Sequence, residues 1–123
     1  MKSFKQEADV SQSIKPAAYT ATVTGSSVDA ANYDEAMVVI DPGTITDGTH
    51  TPKLQESADN STFTDVAAAD LDGAFAAIAT ATVQKVGYIG RLRYLRVVST
   101  VASATTGGVY SATLVLGGLR KRP

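Results

Sequence analysis

The chain has 123 residues, 44% of them hydrophobic and 19% charged, with no cysteine, no tryptophan and a net charge of −1. That is enough for one domain burying roughly two-thirds of its unfolded surface, and it excludes disulfides and thiolate metal sites. No stretch reaches ~18 consecutive apolar residues, so no membrane-spanning helix is predicted, and Met1-Lys-Ser-Phe-Lys-Gln-Glu7 lacks the apolar run of a secretory signal, which predicts synthesis in the cytoplasm.

The small net charge hides a division along the chain. All 12 acidic residues lie between Glu7 and Asp72, accompanied only by Lys2, Lys5, Lys15 and Lys53. Beyond Gly73 the charges are all basic: Lys85, Arg91, Arg93, Arg96, Arg120, Lys121 and Arg122. Strands from the two halves can interleave and neutralise one another, or complementary patches can associate head to tail between subunits. A basic patch is also the footprint of nucleic-acid binding. Here, however, the strand arginines are not interleaved with several exposed aromatics, and nucleic acid is not the predicted partner.

Taken in order, Met1 to Lys15 is polar, with Phe4, Val10 and Ile14 as isolated apolar points, and Pro16 ends any helix there. Residues 1–16 are predicted to be an extended N-terminal arm that orders against a neighbouring subunit, and residues 17–123 a single β-sandwich domain. Tyr19-Thr-Ala-Thr-Val-Thr24 alternates Tyr19, Ala21 and Val23 against threonines, a strand with one wet face. Gly25 to Asp34 reads as a loop, Met37-Val-Val-Ile40 as a short buried strand, and Asp41-Pro-Gly and Asp47-Gly as turns. Two extended runs around Ala58-Asp-Asn-Ser61 predict a hairpin with Leu54 and Phe63 as inward anchors.

The Ala-rich stretch 67–82 has helical propensity, but Gly73 interrupts it. It is read as a loop feeding a strand over 80–88. The organising element is Val86-Gly-Tyr-Ile-Gly-Arg-Leu-Arg-Tyr-Leu-Arg-Val-Val-Ser-Thr-Val101, which alternates from Arg91 onward. Leu95, Val97, Ser99 and Val101 point to the core, and Tyr94, Arg96, Val98 and Thr100 point outward. Val109 to Leu116 alternates likewise and is predicted to pair with it as a hairpin, ending at Gly117-Gly118. The fold class is therefore all-β: an antiparallel β-sandwich, of which a jelly roll is one form.

Chemistry is sparse. His50, the only histidine, lies among threonines beside Pro52 and is predicted to be a solvated loop residue. Asp41, Asp47, Asp59 and Asp65 sit at turns without the spacing of a calcium loop. Neither Gly107-Gly108 nor Gly117-Gly118 has the companions of a phosphate loop. The prediction is a non-enzyme, with no catalytic residue, no metal and no cofactor.

Two stretches, Thr46 to Leu71 and Val86-Gly-Tyr-Ile-Gly-Arg-Leu-Arg-Tyr-Leu-Arg-Val-Val98, resemble small head proteins of tailed bacteriophages, similar to capsid decoration (cement) proteins. The likeness covers about a third of the chain. It implies a virion structural protein on the outer capsid surface. Its partners would be the major capsid protein and further copies of itself, as a homotrimer by analogy. The candidate interface is Phe4, Val10, Ile14, Arg91, Arg93, Arg96 and Arg120. The same pattern is also similar to discoidin-type sugar-binding sandwiches, although Phe63 stands where that hairpin usually carries Trp. In that reading Tyr33, His50 and Tyr88 would meet the sugar.

Overall fold

In a computed structural model that describes residues 3–119, the chain forms β1 (Asp9–Tyr19), β2 (Val23–Thr24), β3 (Val28–Asp29), β4 (Tyr33–Ile45), β5 (Thr49–Ser57), β6 (Thr64–Asp65), β7 (Leu71–Asp72), β8 (Gln84–Tyr88), β9 (Tyr94–Ala102) and β10 (Gly108–Leu119). One sheet runs β1-β10-β4-β8-β7 and the other β2-β9-β5-β6, with β3 also on β9; we call them the β10 sheet and the β9 sheet. Every pairing is antiparallel, and the pairs are nested: β1 with β10, β2 and β3 with β9, β4 with β8, β5 with β6. A long hairpin rolled up in this way, with β10 also beside β4 and β9 beside β5, is a jelly roll.

The period-two patterns fill the space between the sheets. Val38 and Ile40 from β4, Leu114 and Leu116 from β10, Leu54 from β5, and Leu95 and Val97 from β9 are all buried in one cluster. Truncating any of the leucines to Ala should cost about 2–5 kcal/mol.

Several segments differ from their sequence reading. Residues 9–16 are not an arm: from Asp9 onward they belong to β1, paired with β10, and Ile14 is 2% exposed. The boundary drawn at residue 16 falls inside this strand. Its pattern was hidden because bulges between Gln12 and Ile14 and between Ile14 and Ala17 reset the alternation. Pro16 sits in the second bulge of an edge strand, where its missing N–H breaks no ladder.

β10 does not pair with β9 but crosses to the other sheet. Alternation reports which face a residue takes, not which neighbour the strand finds. β4 runs through Pro42-Gly43 because Pro42 lies opposite Tyr110 beside a register shift, and β10 continues through Gly117-Gly118. The Ala-rich stretch forms no helix beyond the 3-10 turn Ala68–Asp70, followed by the short β7, and the strand it feeds begins only at Gln84. Leu54 faces inward as expected, but Phe63 does not anchor the core: it lies outside, under Arg96.

At one side the sandwich is closed by Ser13. Its Oγ accepts the Val97 N–H (2.8 Å) and donates to the Ser26 carbonyl (2.8 Å), while its own carbonyl accepts the Ser26 N–H (2.7 Å). The hydroxyl thus fills the gap between β2 and β3, taking the Val97 N–H where the Gly25 N–H already bonds to the Val97 carbonyl (2.8 Å). Gly25 at that gap has no room for a side chain, because a Cβ there would run into Ser13.

Candidate functional site

His50 is not a loop residue. It lies on β5 at 1% exposure, with Nε2 3.0 Å from the Asp47 carbonyl and Nδ1 3.0 Å from the Tyr110 hydroxyl, which is itself 3.0 Å from Ser99 Oγ. A carbonyl only accepts, so Nε2 carries a hydrogen, and Nδ1 shares the hydrogen bond with the Tyr110 hydroxyl. The arrangement leaves no buried side-chain polar atom unpartnered among the described residues. It holds together the β4–β5 and β9–β10 turns. Just outside it the Asp47 carboxylate accepts the N–H groups of Gly107 (2.6 Å), Thr106 (3.1 Å) and Thr105 (3.1 Å). Those bonds, Gly107 first, hold the Asp47 carboxyl below the ordinary carboxylate range. His50 is therefore a structural residue.

The opposite end of the molecule carries the open features, gathered around the β8–β9 loop, residues 89–93. Tyr88 folds back beneath this loop. Its hydroxyl donates to Glu56 Oε1 (2.6 Å) and accepts the Leu92 N–H (3.0 Å). Burial, then the Glu56 bond, pushes that hydroxyl's pKa well above the ordinary tyrosine range. Gly90 is required there, since a Cβ would come within 2.5 Å of the Tyr88 ring and hydroxyl. The Ile89 N–H donates to the Asp70 carbonyl (2.8 Å), and the Arg93 carbonyl accepts the Ala30 N–H (2.8 Å). Pinned at both ends and from below, the loop holds Ile89 64% exposed, beside exposed Arg91 and Leu92.

Concavities flank the loop on each side. A cleft of about 260 Å³ is lined by Tyr33, Glu35, Tyr88, Arg91 and neighbours. A second hollow lies over Gly87, where a side chain is missing from the outer face of the β10 sheet. Its lining includes Asp34, Glu35, Met37, Asp72, Lys85 and Ile89. Tyr33 and Tyr88 thus share the cleft, but His50 is buried elsewhere, so the three residues of the sugar-binding reading do not form one site.

The predicted interface residues divide between the two faces. Arg93 donates to both Asp29 oxygens (2.9 and 2.7 Å) and lies over Tyr94. Arg96 donates to Gln55 Oε1 (2.8 Å) and stacks 4.0 Å above the Phe63 ring. Both arginines are thereby engaged on the outside of the β9 sheet. Arg91 makes no hydrogen bond or ion pair among the described residues. Phe4 is 69% exposed in the 3-10 turn Phe4–Gln6, Ile14 is in the core, and Arg120 lies outside the described residues.

Val10, 63% exposed, begins a row that sequence reading did not assemble. Register places Val10 beside Val115, Val115 beside Met37, Met37 beside Gly87 and Gly87 beside Asp72. The row crosses the outer face of the β10 sheet over roughly 19 Å at ~4.8 Å per strand. Val39 lies next to it on the same face, and Val109, also exposed, farther along β10. The signal that could have found the row is the outward half of each alternating pattern, where valines stand in place of polar residues.

A solved structure of the SPBc2 prophage-derived protein YomS matches 89% of this chain and 92% of its own at TM-score 0.56 and 19% identity. This chain is similar in fold to a phage-derived protein. A chain of the infectious bursal disease virus Gx strain structure also matches, over 94% of this chain, at TM-score 0.52 and 13% identity. This chain spans about a third (34%) of the viral one's length. At these identities the likeness is one of fold. No protein-family model and no curated protein matches the sequence. Among the described residues no helix is long and apolar enough to cross a membrane.

Proposed function

We propose that this chain is a virion structural protein, not an enzyme, that docks on the outer surface of a phage capsid, holds the major capsid protein as its partner and stabilises the shell. The observation that carries the reading is the apolar row Val10, Val115 and Met37 across three neighbouring strands, extended by Val39. Contiguous apolar surface of this kind marks a protein contact. A sheet face presents it without ordering any loop, which lowers the entropy lost on docking. The jelly-roll fold, shared with a prophage-derived and a viral protein, agrees with this reading, as does the phage-like pair of motifs. A protein that binds only the assembled shell stabilises it by mass action.

The test is mass spectrometry of purified particles, followed by co-sedimentation of the purified protein with undecorated capsids. The expected result is a saturating, symmetry-related copy number and a higher temperature of capsid rupture. Absence from particles, together with no co-sedimentation, would remove the proposal.

A further inference from the structure

Beyond the apolar row, with which it shares Met37, the loop end carries a knob and a hollow of opposite charge side by side. The knob is the tip Ile89-Gly-Arg-Leu92, apolar with one cation, and Arg91 has no partner among the described residues. The hollow over Gly87 has Met37 in its lining, with the carboxylates of Glu35 and Asp72 and, among the described residues, one base, Lys85. Glu35 and Asp72 likewise make no ion pair or hydrogen bond among the described residues. Ile89 borders the hollow as well as forming the knob, so both features belong to one patch.

We infer that this patch pairs with the same patch on a second copy of this chain, each Ile89–Leu92 tip seating in the other's acidic hollow. Three observations select that occupant. The charges are complementary within the patch itself, the condition for a two-fold contact in which residue i meets residue j and j meets i. The knob is pre-organised by Tyr88 and Gly90, so little freedom is lost on seating it. The hollow is made by a missing side chain at Gly87, where a Cβ would sit 3.1 Å from that of Asp72 and close the space. Because knob and hollow adjoin, a two-fold pair fills both hollows at once. That favours a dimer over the trimer suggested by the decoration-protein resemblance.

The experiment is a charge exchange read by light scattering and sedimentation, without capsids, so its outcome does not depend on the capsid proposal. The wild-type chain is expected to be a dimer whose affinity falls with added salt. Arg91→Glu and Asp72→Lys should each weaken dimerisation at least about tenfold, since each sets like charges against one another. Mixed in equal amounts, the two variants should form a heterodimer, because both contacts then again join opposite charges. Circular dichroism of each variant checks that the fold is intact, and Gly87→Val, which fills the hollow without changing charge, provides an independent test. A wild-type monomer at high concentration, a closed particle of any other size, unchanged dimerisation in all the variants, or two monomeric variants that do not associate on mixing would each overturn the inference.

Discussion

On the outside of the β9 sheet, Arg96 lies over Phe63 and bonds to Gln55, Gln55 bonds to Asp65, and Asp65 pairs with Lys53 at 3.1 Å. On the outside of the β10 sheet, Val10, Val115 and Met37 form a row that no such network covers. The first face satisfies itself; on the second, Val10 is exposed and Val115 and Met37 half-buried, apolar surface that no such network among the described residues covers. Under the proposed docking, arginine content is a poor guide to the binding face. Guanidinium groups on a sheet find carboxylates and rings on the neighbouring strands, whereas outward valines have nothing nearby to satisfy them.

The contrast can be broken most sharply at the apolar row. Val10→Asp combined with Val115→Glu should weaken capsid co-sedimentation at least about tenfold, as desolvating two new carboxylates opposes docking. The free protein should lose only the modest stability that two like charges opposite one another on paired strands cost, about 0.2–1 kcal/mol, since both side chains face outward. Ser13→Ala should act on both faces alike. It leaves the Val97 N–H and the Ser26 carbonyl without a partner at the seam, costing about 1–3 kcal/mol in denaturant unfolding. Arg96→Ala should cost less, about 0.5–1.5 kcal/mol for the lost stacking and hydrogen bond, and leave capsid affinity within about twofold, because the proposed docking does not use that face.

The smallest effects concern acid. Side-chain hydrogen bonds from Arg93 hold Asp29, and those from Gln55 and then Lys53 hold Asp65, below the ordinary carboxylate range, as backbone N–H groups do Asp47. A carboxyl whose pKa is lower in the folded state than in the unfolded one contributes stability above its unfolded value, about 4. That contribution is lost as pH falls through the folded value. Thermal melts should therefore decline below about pH 4, and Asp47→Asn should lower the melting temperature at neutral pH while shallowing that decline. An unchanged acid profile in Asp47→Asn would remove the role given to its three backbone bonds.

Much of the fold was legible. The alternation of Leu95, Val97 and Ser99 against Tyr94 and Arg96 identified β9 and its inner face, and the Asp-Asn turn identified the β5–β6 hairpin. What escaped was non-local. The two bulges in β1 spaced Ser11, Ile14 and Ala17 three apart, which looks helical or irregular, and only pairing with β10 gives those residues a face. His50 looked exposed among threonines, yet those threonines are the outward half of β5 and His50 belongs to the inward half. The stapled loop had one faint mark in the sequence, a glycine two residues after Tyr88. Its reason lies in where the Tyr88 ring packs.

The most direct measurement is a cryo-EM reconstruction of capsids decorated with this protein at a resolution that separates the two sheets. The β10 sheet should face the shell, with Val10 and Val115 within contact distance of the major capsid protein and Arg96 and Phe63 facing solvent. Density in which the β9 sheet faces the shell, or in which the valine row remains in water, would contradict it.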